Sequence, residues 1–344
     1  MNLFNINLIS YSDILATFTD NMDLYLIMII ALAILAIGDL MVGVSNDAVN
    51  FLNSALGSKA ISVKKIMILA SLGVLVGSVF SSGMMEVARK GIFNPEMLFF
   101  SEIMIIFMAV MITDILLLDF FNTLGLPTST TVSIVFELLG AAVAVALIKI
   151  SANAGDFSEL INYINVSKAS QIIFGILLSV VIAFSIGALV QFIARALLSY
   201  NYEKKSKWVG SIFGGVALSS ITYFILMKGI KGTSYAKETY DIIGGSTISA
   251  FLESEVFMIS VVSFILLSVI SYFLIFSFKV NIYKLIIGVG TFSLALAFAG
   301  NDLVNFIGVP IAAWQSYNAW LASGISADMF SMEVLADKVA TLNL

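Results

Sequence analysis

The chain contains no cysteine and no histidine. Thiolate zinc centres, iron–sulfur clusters, histidine-ligated haem, catalytic triads and histidine proton relays are therefore excluded. Charge is scarce as well: Asp, Glu, Lys and Arg make up 11% of the 344 residues, where a soluble domain carries about a quarter. Seventeen Lys and Arg against 22 Asp and Glu give a formal charge of −5, so nothing basic is on offer for nucleic acid, and none is expected as a partner. What remains is apolar. Sixty per cent of the residues are hydrophobic and the mean hydropathy is +1.05, which rules out a water-soluble globule. Any chemistry has to come from carboxylates, hydroxyls, amides and backbone.

A helix that crosses a bilayer needs about 20 mainly apolar residues. Such runs occur at roughly 24–44, 66–88, 97–122, 128–150, 170–199, 208–228, 256–278 and 284–300, with 303–323 as a partial addition. The expected class is all-α and polytopic, an integral membrane protein whose apolar surface faces the lipid bilayer. Residues 1–23 are polar, with Asp13, Asp20 and Asp23 and no Lys or Arg, so no cleavable signal peptide is expected there. Arg195, Lys204, Lys205 and Lys207 cluster between the fifth and sixth runs. That bias favours a cytoplasmic loop, and counting back five spans places the amino terminus outside.

Ionisable residues inside the apolar runs are more telling. Asp39, Asp47, Glu102, Asp114, Asp119, Glu137 and Asp302 fall in or beside them, while Lys and Arg fall near span ends or in loops. A carboxylate at a helix centre costs about 2.5–3.5 kcal/mol on insertion scales, and no cation near in sequence offsets it. Either protons or small mobile cations such as Na⁺ supply the missing charge.

Two of these acids belong to a repeat. Asn46-Asp47-Ala48-Val49-Asn50-Phe51 returns as Asn301-Asp302-Leu303-Val304-Asn305-Phe306, identical at five of six positions, including all three polar ones. On a helix the two Asn of each copy share a face and the Asp is adjacent, so three oxygen-bearing side chains are expected to converge. Gly43, Asn53 and Ser54 extend the stripe of the first copy and Gly57 ends it. Such a stripe can serve as interhelical glue, which accounts for the Asn residues but not for a repeated acid. Hard oxygen ligands suit an alkali cation or a hydrogen-bonding substrate, and paired motifs in distant halves are a feature of inverted-repeat transporters.

A second feature is Gly125-Leu126-Pro127-Thr128-Ser129-Thr130-Thr131-Val132-Ser133. Gly and Pro interrupt the apolar pattern, and Pro suits the first turn of a helix. A helix start at Thr128 to Thr131 would offer backbone N–H donors, the positive end of the dipole and several hydroxyls, an anion site without a cation. Ordinary N-capping at a span entrance is the plainer alternative. Donors for an oxyanion here and acids in the repeat together suggest an anion moved with cations.

These residues resemble a known family. Gly43-Val-Ser-Asn46-Asp47-Ala-Val-Asn50, with Leu-Gly57-Ser58-Lys59-Ala60, is similar to the first signature of the inorganic phosphate transporters. Ala299-Gly300-Asn301-Asp302-Leu-Val-Asn305 is similar to the second, and Pro127-Thr128-Ser129-Thr130-Thr131 with Gly140 to the family's Pro-x-Ser-Thr-Thr element. The resemblance implies an all-helical inverted-repeat carrier with discontinuous helices, homodimeric, that imports inorganic phosphate with Na⁺ or H⁺ and needs no cofactor beyond that ion. It implies that Asp47, Asp302, Thr128, Ser129 and Thr130 face phosphate. Asn46, Asn50, Asn301, Asn305 and Thr131 would lie at the Na⁺ sites.

The chain departs from the family at Val132, where many members carry His, and at Phe136, where Gly is common. A histidine-based proton step is thereby lost, which favours Na⁺ over H⁺. The chain also reaches Leu344 too soon after Asn301 to hold a second Pro-x-Ser-Thr-Thr element at the spacing that separates Asn46 from Pro127. The expectation is an amino-terminal part of a longer carrier, with the missing half-site supplied elsewhere. The expected organisation is a polar extracytoplasmic segment at 1–23, a first transmembrane repeat at 24–150, linking helices and a loop at 151–255, and the start of a second repeat at 256–344. The expected location is a bacterial inner membrane. A sulfate permease of the same fold is the near alternative. An intramembrane aspartyl protease, for which Gly38-Asp39 gives a faint resemblance, and a cation channel are the alternatives from other classes.

Overall fold

The computed structural model describes residues 24–79, 92–198, 207–227, 236 and 238–335, with backbone only at 301–304. Eight long helices dominate: α1 Leu24–Ser58, α2 Val63–Val79, α3 Phe100–Leu124, α4 Thr130–Ala152, α5 Val166–Leu198, α6 Lys207–Ile225, α7 Val256–Phe276 and α8 Ile282–Ser323. All but the 17-residue α2 are long and apolar enough to cross a bilayer. Residues 238–254 add a two-stranded hairpin, Thr239–Tyr240 against Ser246–Thr247, and a short helix, Ile248–Ser254.

Local chemistry sets the helix ends. The Phe99 N–H donates to Glu102 Oε2 at 2.7 Å, opening α3. Gly125 closes it in the left-handed region at φ 68°, where a side chain would be strained, and its N–H bonds back to the last turn. Asn281 caps α8 by accepting from the N–H groups of Tyr283 and Lys284.

Two expectations change. The runs 284–300 and 303–323 are not separate spans: they form one helix of 42 residues with Pro310 inside it. At 1.5 Å per residue that helix is about 63 Å long, roughly twice the hydrocarbon thickness, so it tilts or projects beyond it. Likewise the first span continues through the Asn-Asp motif to Ser58. Polar residues at 46–50 and 300–302 break the apolar pattern without breaking the helix, because a helix satisfies its own backbone. The discontinuity lies instead at 125–129, between α3 and α4. The run 66–88 is helical to Val79, beyond which residues 80–91, like Lys204 and Lys205 of the basic cluster, lie outside the described residues.

The core is built where α1, α3, α4 and α8 meet, around Leu32, Phe100, Phe107, Met111, Leu138, Ala142 and Val309. α2 lies against α8 so closely that a Cβ on Gly73 or Gly77 would run into the α8 backbone at Phe292 and Leu296, the small-residue packing typical of membrane helices. α6 and α7 pack together and onto α8. α5 stands apart, with Ala169 its only buried residue.

Candidate functional site

The break at 125–129 is held by the first Asn-Asp motif. Asn46 lies on the buried face of α1 at 3% exposure, and its Oδ1 accepts the Thr128 N–H at 2.8 Å. Its Nδ2 donates to Asn122 Oδ1 at 2.8 Å and to the Leu126 carbonyl at 3.2 Å. Asn122 in turn donates to the Val42 carbonyl at 2.9 Å. One amide, carrying donor and acceptor, thus satisfies groups that the broken helix exposes.

The second motif reaches the same element from the opposite end of the sequence. Asn305 on α8, 6% exposed, donates to Thr131 Oγ1 at 3.0 Å. The structure therefore brings Asn46, Thr128, Thr131 and Asn305 together. Asp47 is buried beside them at 5% exposure, lining a small cavity of about 10 Å³ with Phe51, Val74, Phe298 and Phe306. That volume admits one water-sized probe and no phosphate. The Phe306 ring packs onto Gly43, where a Cβ would collide with it.

The start of α4 differs from expectation. The helix begins at Thr130 with Ser129 as its cap, accepting from the Val132 N–H at 3.4 Å. Pro127 is therefore in the connecting segment and not in the first turn, and the Thr128 N–H is already taken by Asn46. Ser129 is exposed and Thr128 half-buried. Thr130 is the unusual member: its hydroxyl is buried and has no hydrogen-bond partner.

Asn50 does not join this group. It is exposed, as are Asn53, Ser54 and Gly57. Past the motif the buried residues of α1 are Asp47, Phe51 and Ala55, four apart, and Asn50 lies beside that row and not in it. The side chains of Asn301 and Asp302 lie outside the described residues.

The other acids separate into three cases. Glu102 caps α3 and pairs with Lys149 Nζ at 2.9 Å, so a fixed cation 47 positions away in sequence does offset it. Asp119 is exposed. Asp39, Asp114 and Glu137, from α1, α3 and α4, come together: Asp114 and Glu137 share Ser133, and Asp39 faces both acids. In the sequence Asp39 is one of seven acids in or beside the apolar runs, outside both copies of the Asn-Asp motif. The available signal was its seven-residue spacing from Asn46, about two turns, which puts both on one face of α1.

Comparison with known proteins places this arrangement. Residues 42–336 match the phosphate transporter family. A protein of Thermococcus kodakarensis provisionally named a phosphate permease is 26% identical over 284 residues, covering 78% of this chain and 62% of that protein. A similarly named protein of Helicobacter pylori is 27% identical over 195 residues, covering 54% of this chain and 33% of that one. The chain thus spans about three-fifths and one-third of the lengths of these two relatives. A solved structure titled "The sodium-dependent phosphate transporter" superposes with a TM-score of 0.59 at 21% identity, over 90% of this chain and 72% of that one. The fold is shared with that structure, and the matched proteins are named for transport and not for catalysis, which sets the protease alternative aside. With 295 consecutive positions matched (336 − 42 + 1), spanning both Asn-Asp motifs and the Thr-rich break, this integral membrane chain belongs to the phosphate transporter family.

Proposed function

We propose that the chain carries the binding half-sites of a cation-coupled inorganic phosphate symporter, with Na⁺ favoured over H⁺. The observation that carries this reading is the convergence on one broken helix of both Asn-Asp motifs, Asn46 on Thr128 and Asn305 on Thr131, next to a buried hydroxyl, Thr130 Oγ1, without a partner. In this reading Asp47, Asp302, Thr128, Ser129 and Thr130 face phosphate. Thr131, Asn305 and Asn301 offer amide and hydroxyl oxygens to Na⁺, as does the second lone pair of Asn46 Oδ1; Asn50 would have to join them from its exposed position.

Carboxylates in an anion site act as a filter. Phosphate near neutral pH keeps at least one proton and can donate to Asp47 or Asp302, whereas sulfate cannot donate and meets uncompensated repulsion. Coupling follows from charge. Moving a divalent anion against about 100 mV costs roughly 4.6 kcal/mol, which two Na⁺ cancel and a third exploits. The cavity of about 10 Å³ beside Asp47 means that phosphate enters only after α8 withdraws Phe306 from Gly43. That motion is the rocking of one repeat, 24–150, against the start of the second, 256–344, with 151–255 linking them. The same reading takes the protein as a homodimer in a bacterial inner membrane, amino terminus outside.

The test is ligand-dependent melting of the chain in nanodiscs. Phosphate with Na⁺ at about 100 times the dissociation constant stabilises by about 2.7 kcal/mol, K⁺ does not replace Na⁺, and Asp47→Asn and Thr130→Val lose the response. An equal response to sulfate, or an undiminished one in both variants, overturns the proposal.

A further inference from the structure

Away from the phosphate half-sites, the carboxyl cluster of Asp39, Asp114 and Glu137 has a geometry that three ionised acids cannot adopt. Ser133 Oγ lies 2.7 Å from Asp114 Oδ1 and 2.7 Å from Glu137 Oε1. A hydroxyl has one proton to donate. If Ser133 donates to one carboxyl, the other oxygen approaches the Ser133 oxygen at hydrogen-bond distance and must itself carry a proton. Asp39 and Asp114 are in turn within side-chain hydrogen-bonding reach of each other. As bare carboxylates they leave both oxygens of Asp39 and Asp114 Oδ2 without a partner, at 0% exposure for each residue. One further proton between them satisfies that contact.

Among the described residues the surroundings supply no alternative charge. The charged groups facing Asp39 are Asp114 from α3 and Glu137 from α4. Glu102, farther along α3, is engaged by Lys149. α8 also packs on α1, α3 and α4; its described charged side chain, Lys284, stands at its first turn. Among the described residues no group of three acids is spaced to hold a metal ion. Glu137 and Ser133 also line a groove of about 620 Å³ between α3 and α4 that runs to Thr128, so the cluster opens onto that groove at Glu137 while Asp39 is sealed.

We propose that Asp39, Asp114, Ser133 and Glu137 form an intramembrane proton-binding site in which three carboxyls share two protons, exchanged through the groove at Glu137. It goes beyond the phosphate reading and does not depend on it. The loss of histidine from the Thr-rich element does not deprive this protein of a proton carrier; the acids that gather on Asp39, two turns before Asn46 on α1, provide one. Ser133 is a positioning residue that bridges two of them.

Infrared difference spectroscopy of the chain in nanodiscs tests this, because a protonated carboxyl in an apolar site has its own C=O stretch, sensitive to deuterium exchange. At neutral pH and without Na⁺ or phosphate, the native protein is expected to show buried protonated-carboxyl bands. Glu137→Gln and Asp39→Asn each lose one of these, and Ser133→Ala shifts a band without removing it. No such band at neutral pH, or a spectrum unchanged in all three variants, overturns the proposal. Bands bleached by Na⁺ alone overturn it as well, because they would assign the cluster to Na⁺. Phosphate-dependent melting, read on the same samples, reports on the transport reading alone.

Discussion

Asn46 spends both ends of its amide on hydrogen bonds to Thr128, Asn122 and Leu126, whereas Asp39, about two turns earlier on the same face of α1, leaves both carboxylate oxygens unpaired. Asn46 and Asp39 are both buried, at 3% and 0% exposure; the first cluster joins α1 to α3 and the connecting segment after it, the second joins α1 to α3 and α4. An amide brings donor and acceptor together, so it can close a network without help. A carboxylate brings acceptors alone, so acids packed against acids are closed only by something that arrives from solution. The first cluster is architecture that holds the break between α3 and α4; in the second, by our proposal, a proton closes the network.

The largest effect that would break this comparison is expected at Asn46. Asn46→Ala removes three hydrogen bonds and leaves the Thr128 N–H, the Leu126 carbonyl and Asn122 without their partner. A fully buried group left unsatisfied costs about 1–3 kcal/mol; with Leu126 exposed and Thr128 and Asn122 half-buried, the loss is about 2–3 kcal/mol. Chemical denaturation in mild detergent measures it. A loss below about 1 kcal/mol would mean that water replaces the amide and that the turn is not held by Asn46.

Glu102 shows a third way to bury an acid, and Lys149→Met sharpens the contrast. Lys149 pairs with Glu102 at 2.9 Å with side chains 17% and 20% exposed, donates to the Met97 carbonyl at 3.1 Å and lies 3.9 Å over the Phe99 ring. Being neither buried outright nor fully solvated, the pair falls between the two regimes, and its loss is expected to cost about 1–2 kcal/mol. Melting at low and high salt should show the native protein losing part of that margin in salt and the variant losing little.

Much of this was legible in the sequence, and the parts that were not share a cause. The repeat of Asn46-Asp47 and Asn301-Asp302 and the interruption at Gly125 and Pro127 are local patterns, and in the structure Asn46 bonds to Thr128 and Asn305 to Thr131. The union of two apolar runs into α8 was hidden because Gly300-Asn301-Asp302 reads as a boundary by hydropathy, although helical hydrogen bonding is indifferent to side-chain polarity. The partnership of Glu102 with Lys149 and of Asp39 with Asp114 and Glu137 joins residues far apart in the chain, and a single sequence carries no signal of contact at that separation. The exposure of Asn50 was not legible either: which of the neighbouring rows on α1 is buried, here Asp47, Phe51 and Ala55, is set by the helices packed against it.

Thr131→Ala tests the weaker of the two clamps on the break. It removes the neutral hydrogen bond from Asn305, leaving Asn305 Nδ2, at 6% residue exposure, without that acceptor. About 1 kcal/mol is expected, no more than half the Asn46 effect. The change should also weaken Na⁺-dependent stabilisation if Thr131 is an ion ligand; a stability loss with an unaltered Na⁺ response would confine Thr131 to holding α8 against α4.

The smallest change in stability is expected where the buried acids are most crowded. Asp39→Asn and Glu137→Gln keep shape and volume and replace an acceptor-only group by one that donates as well as accepts. An amide donor at position 39 can reach Asp114 without borrowing a proton, and one at 137 can meet Ser133 Oγ, so the hydrogen bonds that the acids form only when protonated become permanent. Each variant should therefore lie within about 0.5 kcal/mol of the native protein or be more stable, the reverse of what removal of a buried ion-pair partner does. Unfolding by denaturant in nanodisc-free detergent, run beside Asn46→Ala, decides it. A loss of about 2 kcal/mol or more from either isosteric change would show that the negative charge itself is held by something at this site, and the distinction between a self-closed amide cluster and a proton-dependent carboxyl cluster would fail.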